Sequence, residues 1–160
     1  MRPFTDVHHM NTTITDNWNS IIKPTDIVYI IGDFAYKMAS RLSTYAEPLN
    51  GIKHLILGNH DRLPLIEYEQ QFASVRHYLK LKIDHQEIIL FHYPILSWER
   101  RHSGSIHLYG HVHNAGQLKQ FENQKAWNVC VDVNDYKPIS LDQLLETMKT
   151  RDVKVTESEK

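Results

Sequence analysis

Asp26-Ile27-Val28-Tyr29-Ile30-Ile31-Gly32-Asp33 is the stretch on which the fold turns. Residues 26–31 read as a buried strand of a parallel sheet by the continuous β-branched and aromatic content that follows Asp26. The glycine that follows permits a sharp exit, so an aspartate is delivered at the strand's end. The pattern recurs downstream. Residues 53–57 are a second apolar run, closed by Gly58-Asn59-His60-Asp61. Residues 87–92 end in His92 before Tyr93-Pro94, and residues 106–109 are followed by Gly110-His111-Val112-His113. Apolar runs thus deliver polar side chains at their C-terminal ends, where α/β folds place their chemistry.

Between these runs the helical period takes over. In residues 6–22, Met10, Ile14, Trp18, Ile21 and Ile22 share one face of an amphipathic helix that Pro24 stops. Residues 37–48 predict a short helix, and residues 64–71 another with Pro64 in its first turn. Residues 75–83 and 87–92 predict a strand pair joined by a turn at His85-Gln86. Residues 127–133 predict a strand carrying Cys130 as a small core residue. Ser140 and Gln143 form a capping box ahead of a helix whose apolar face holds Leu141, Leu144, Leu145 and Met148. The expected organisation is one domain over residues 1–150 and a polar tail over 151–160. The first half should be largely parallel and the second richer in antiparallel pairs, with helices outside.

The 160 residues suffice for one domain with a real core. The formal charge is −1 with acidic and basic residues well mixed, which argues against a broad surface for long nucleic acid. No apolar run has the length of a membrane span, so no membrane partner is expected. No stretch resembles a signal peptide, which makes a cytoplasmic protein the default expectation. Cys130 is the only cysteine, so an intramolecular disulfide is impossible.

The eleven histidines fall largely into clusters at the ends of apolar runs. Each signal is weak alone. A Gly-Asp pair is most often a turn, and a lone histidine most often a hydrogen-bonded core residue. Asp33, Asn59 with His60, His92, and His111 with His113 together are stronger, because separate strand ends supply compatible donors. An oxygen and nitrogen set of this kind suits a borderline divalent ion such as manganese, iron, zinc or nickel better than magnesium or calcium alone.

The order Gly32-Asp33, Gly58-Asn59-His60-Asp61, His92, Gly110-His111-Val112-His113 resembles the signature of the calcineurin-like metallophosphoesterases. Arg2-Pro3-Phe4, Met10-Asn11, Trp18-Asn19 and Asn128 through Leu141 resemble a small phage- and bacterium-type branch of that family. The resemblance implies an α/β/β/α sandwich of mixed sheets flanked by helices, holding two divalent metal ions. It implies that Asp33 bridges both ions, that Asn59, His92 and His111 complete the second site, and that His113 binds the first. It makes His60 the acid that protonates the leaving oxygen and Asp61 the residue that orients it. The implied reaction is hydrolysis of a phosphomonoester or phosphodiester by a metal-bound hydroxide.

The family's opening motif, Asp-x-His at the end of a first strand, is absent at the place the resemblance assigns it. Asp6-Val7-His8 matches it literally but fits the first turn of the opening helix. On this reading the first site keeps Asp33 and His113, one ion is held better than two, and the missing strand leaves a sheet edge open to self-association. A small phosphorylated substrate is the expected ligand. Arg62, Arg100 and Arg101 are candidates to meet its phosphate or are solvated charges; Tyr93 and Trp98 could stack a base or simply pack. The competing function is a degenerate relative that binds a phosphorylated ligand or a protein without turnover. A third reading is a plain α/β domain with incidental histidines.

Overall fold

The computed structural model describes residues 2–35, 42–113 and 118–151. Two sheets carry the fold. In the first, β1 (Ile27–Ile31), β2 (Ile52–Ile56) and β3 (Ser74–Arg76) run parallel in that order. In the second, β4 (Tyr78–Ile83) pairs antiparallel with β5 (Gln86–Phe91), which is followed by β6 (Ile106–Tyr109) and β7 (Ala126–Asn128), both parallel. The helices are α1 (Val7–Ile21), α2 (Leu42–Ala46), α3 (Leu65–Glu69) and α4 (Leu141–Lys149).

The period of two along each strand sorts its side chains between layers. Ile31 and Ile56 of the first sheet meet Ile88, Leu90 and Ile106 of the second, and Leu144 and Met148 of α4 join this central core. Leu55 and Val75 face the other way, onto Leu42, Ala46, Tyr68 and Phe72 of the α2 and α3 layer. Ile89 and Tyr109 leave the second sheet on its outer face and pack with Trp98 and Phe121. Sheet therefore stacks on sheet, with helices flanking. The mixed α/β sandwich expected from the sequence is the observed architecture.

α1 docks mainly by polar ties. Trp18 Nε1 donates to the Asn50 carbonyl at 2.9 Å, Asn19 Nδ2 to the Pro48 carbonyl at 2.8 Å, and Asn50 N to Asn19 Oδ1 at 2.9 Å. Of its expected apolar face, Ile21 is exposed. At α4 both capping-box bonds are present, Gln143 N to Ser140 Oγ and Ser140 N to Gln143 Oε1.

Four expectations need correction. The run at 75–83 is two strands, not one: it breaks at His77, so β3 belongs to the first sheet and β4 to the second. The hairpin turn is Asp84-His85, one residue earlier than read, with Asp84 at φ +52°, where aspartate is tolerated better than most residues. The strand read over 127–133 stops at Asn128, and Val131–Val133 is a single 3-10 turn. Cys130 accordingly sits half-buried in a loop, not in a strand core. β1, read as fully buried, is an edge strand with Ile27 62% exposed, and only Ile31 is buried in it. Residues 37–41 of the expected second helix and 152–160 of the expected tail lie outside the described residues. Among the described residues no helix is long and apolar enough to cross a membrane.

Candidate metal centre

The strand exits bring the polar side chains to one place. β1 leaves through Gly32 and Asp33, both at positive φ (+79° and +56°). Glycine adopts this freely; aspartate does so at a cost of about 1–2 kcal/mol, a strain typical of sites that must aim a side chain. His111, after β6, is likewise held at φ +66°. No side chain fits at Gly32 or Gly58. A Cβ on Gly32 would lie 2.2 Å from His92 Nδ1, and one on Gly58 would lie 2.2 Å from Asp33 Oδ1.

Asp61 knits these exits together. Its carboxylate accepts N–H groups from Asp33 (2.7 Å), Phe34 (3.0 Å) and Gly58 (2.8 Å), tying the loop after β1 to the loop after β2. Asp33 returns the bond, its Oδ1 accepting the His60 N–H at 2.8 Å. Asp61 therefore holds the backbone of both loops through its carboxylate.

His92 is buried, and its ring is fixed by a simple argument. Nδ1 lies 2.9 Å from the Ile31 carbonyl, which can only accept, so Nδ1 carries the proton. In the neutral ring the lone pair is then on Nε2. That nitrogen faces two more acceptors, Asn59 Oδ1 at 3.1 Å and Asp33 Oδ2 at 3.4 Å. Asn59 Oδ1 in turn lies 3.0 Å from His111 Nδ1. Acceptor atoms so close, one of them an anionic carboxylate, call for a cation among them. Asp33, His92 and His111 each offer a ligand atom, all within 4.8 Å of one another. A histidine ligand whose other nitrogen donates to a backbone carbonyl is the usual way proteins aim such a ring. Burial first, then the neighbouring His92, lowers the pKa of His111 and favours the neutral, ligating form. The donor set fits a borderline divalent ion.

His113 has partners of its own. Its Nδ1 lies 2.7 Å from Asp132 Oδ2, with Cys130 Sγ 3.7 Å away, in a second group of possible ligands. Arg2 grips the same carboxylate, Nε to Oδ1 at 2.6 Å and Nη2 to Oδ2 at 2.8 Å. Burial would raise the Asp132 carboxyl, but the bonds from Arg2 and His113 outweigh it and hold it down at about 2. Burial pushes the Cys130 thiol up to about 11. Sequence reading missed Arg2 and Asp132 as a pair; the branch resemblance at both ends of the chain was the only signal.

Asp6 caps α1, its carboxylate accepting the His9 N–H at 2.7 Å, and neither Asp6 nor His8 belongs to either ligand group. The arginines have local partners. Arg62 Nε donates to the Asn59 carbonyl, Arg100 pairs with Glu87, and Arg101 bonds Gln124. Trp98 is buried, donating to the Ser105 carbonyl, while Tyr93 lies against His111 with ring centroids 4.8 Å apart.

Residues 3–131 match the model of the calcineurin-like phosphoesterase superfamily domain. The chain belongs to the calcineurin-like phosphoesterase superfamily. An uncharacterised protein of Methanocaldococcus jannaschii is 32% identical, over 92% of this chain and 80% of that one. The Gene 66 protein of a Mycobacterium phage is 24% identical, covering 79% of this chain and 75% of its own, in keeping with the phage-type branch. A crystal structure of a protein of unknown function from Aquifex aeolicus superposes with a TM-score of 0.73 at 25% identity, over 91% of this chain and 88% of that one. Calcineurin-like phosphoesterases are metal-dependent as a class, and the convergent donors described above are what such an ion requires.

Proposed function

We propose that this chain hydrolyses a phosphate ester, mono- or diester, at a centre formed by Asp33, Asn59, His92 and His111. The observation that carries the reading is the convergence of the buried His92 Nε2 with two acceptor oxygens, Asn59 Oδ1 and Asp33 Oδ2, beside His111. Divalent ions held there, manganese first among the candidates, would polarise the phosphate and activate water for in-line attack. The chain's own residues do the rest. Asn59 coordinates without adding negative charge, which keeps the site attractive to phosphate. His60 donates a proton to the leaving oxygen, since its ring follows the ligand Asn59 and histidine exchanges protons near neutral pH. Asp61 and the glycines hold the exits in register.

The competing reading, a relative that binds a phosphorylated ligand without turnover, draws on one observation. His113, assigned by resemblance to a first ion, bonds Asp132 and is not grouped with Asp33.

The test is metal content and hydrolysis of a chromogenic phosphodiester and phosphomonoester with added manganese. Turnover is expected in the native chain. His60→Ala should lose about 10²–10⁴-fold in rate with its metal content unchanged. Asp33→Ala and His111→Ala should lose the ion. A native chain that binds manganese yet turns over neither ester would favour the binding reading. One that takes up no ion would overturn the centre itself.

A further inference from the structure

Arg2-Pro3-Phe4 and the loop after Asn128 stand at opposite ends of the chain, and neither enters the chemistry above. They meet at Asp132. Its side chain is only 2% exposed, and both oxygens are engaged by Arg2. The loop that carries it is built to hold this place. Asn134 Nδ2 donates to the carbonyls of Asn128 (2.9 Å) and Cys130 (2.7 Å), and Cys130 N donates to Asn128 Oδ1 (3.0 Å). Asn128, itself buried, donates through Nδ2 to the carbonyl of Val112 at 2.8 Å, the residue between His111 and His113. The segment 111–113 is therefore gripped twice by one loop, at the backbone of Val112 and at the ring of His113.

His113, Cys130 and Asp132 could be read as an ion site of their own. The Arg2 guanidinium argues against it. It already answers the carboxylate's charge, and its Nη2 comes within 3.5 Å of His113 Nδ1, where a cation would have to sit. The group is better read as a holder for the ring. A carboxylate only accepts, so the proton of the 2.7 Å bond lies on Nδ1. His92 is treated in the same way by the Ile31 carbonyl.

We propose that Asp132 is a positioning residue that locks His113 into the Nδ1–H tautomer, leaving Nε2 as the lone pair for a divalent ion, and that Arg2 fixes Asp132 for this task. The tautomer stands on geometry alone, whereas its use by an ion rests on the proposed function and on the family resemblance that assigns His113 to a first ion beside the centre at Asp33.

Nitrogen-15 NMR of the metal-free protein at about pH 9, above the ordinary histidine range, reads the tautomer directly. The His113 signal is identified by its loss in His113→Gln. The expected result is a proton on Nδ1 in the native chain and a shift toward the Nε2–H form, which a free histidine side chain prefers, in Asp132→Ala. Arg2→Gln should shift it part of the way and serves if Asp132→Ala does not fold. A native His113 protonated on Nε2, or on both nitrogens, would overturn the proposal; an unchanged tautomer in the folded Asp132→Ala would do the same. Manganese titration is the second readout. Asp132→Ala should weaken uptake of the ion that His113 ligates about 10–100-fold, as loss of a ligand-orienting partner does, and leave the ion at Asp33, His92 and His111 bound. Undiminished manganese affinity in that variant would remove the role assigned to Asp132. A native chain with the Nδ1–H tautomer that takes up no manganese would sink the metal centre while leaving the lock on His113 in place.

Discussion

At the scale of single residues, the site is decided as much by what is missing as by what is present. Gly32 has no room for a methyl group, and its φ of +79° would strain any other residue. Gly32→Ala should therefore destabilise the chain by roughly 2 kcal/mol or more, through backbone strain and displacement of His92. It should also weaken metal uptake. Gly51→Ala is the control: φ is +94°, but the neighbours a Cβ would meet are Ile22, Asp26 and Val28, away from the ligands. Urea unfolding and manganese titration of both variants separate the two effects. Equal metal affinity in Gly32→Ala and Gly51→Ala would refute the claim that Gly32 clears space for the His92 ligand. The convergence of Asp33, Asn59, His92 and His111 was legible in the sequence because each follows an apolar run closely. The Arg2–Asp132 pair was not. Its partners are 130 positions apart, and no periodicity spans that gap.

At the scale of elements, alternation along β6 sends His107 to the outer face of the second sheet, between Trp98 and Tyr109. It is fully buried, and burial pushes its pKa down from 6.5 to about 4 despite nearby carbonyls that favour the charged ring. The folded state thus keeps a neutral ring that the unfolded chain would protonate. The contribution to stability is whole above about pH 6.5 and is lost as pH falls toward 4. Its ceiling is about 3–4 kcal/mol. His107→Gln should flatten that acid slope, measured as urea midpoints between pH 7.5 and 4.5. A variant with the native slope would show that some other group titrates there. The strands themselves were readable from apolar content, but their partners were not. Nothing in residues 75–83 announces that His77 ends one sheet and opens the next, because both halves have strand-like composition and sheet membership depends on distant neighbours.

At the scale of the molecule, the layered sandwich was legible through the family resemblance, and the outer helices through the order of the elements. The edge position of β1 was not, since an apolar run reads alike at the centre of a sheet and at its rim. The donors divide between the sheets: Asp33 and Asn59 leave β1 and β2, while His92 and His111 leave β5 and β6. Neither sheet alone holds a complete set, so an ion bound at the proposed centre would act as a clamp across the sandwich and favour the native state. Mass action then converts occupancy into resistance to heat. At manganese a hundredfold above its dissociation constant the gain is about 2.7 kcal/mol, a rise of roughly 5–10 °C in the melting temperature of a chain this size. Asp33→Ala should abolish the rise, as should a chelator. Calorimetry with and without manganese is the check, and an unmoved melting temperature in the ion-loaded native chain would mean that the ion does not join the two sheets. With an ion held between the sheets, heating would become a way to watch the two halves part, at a temperature that the metal concentration sets.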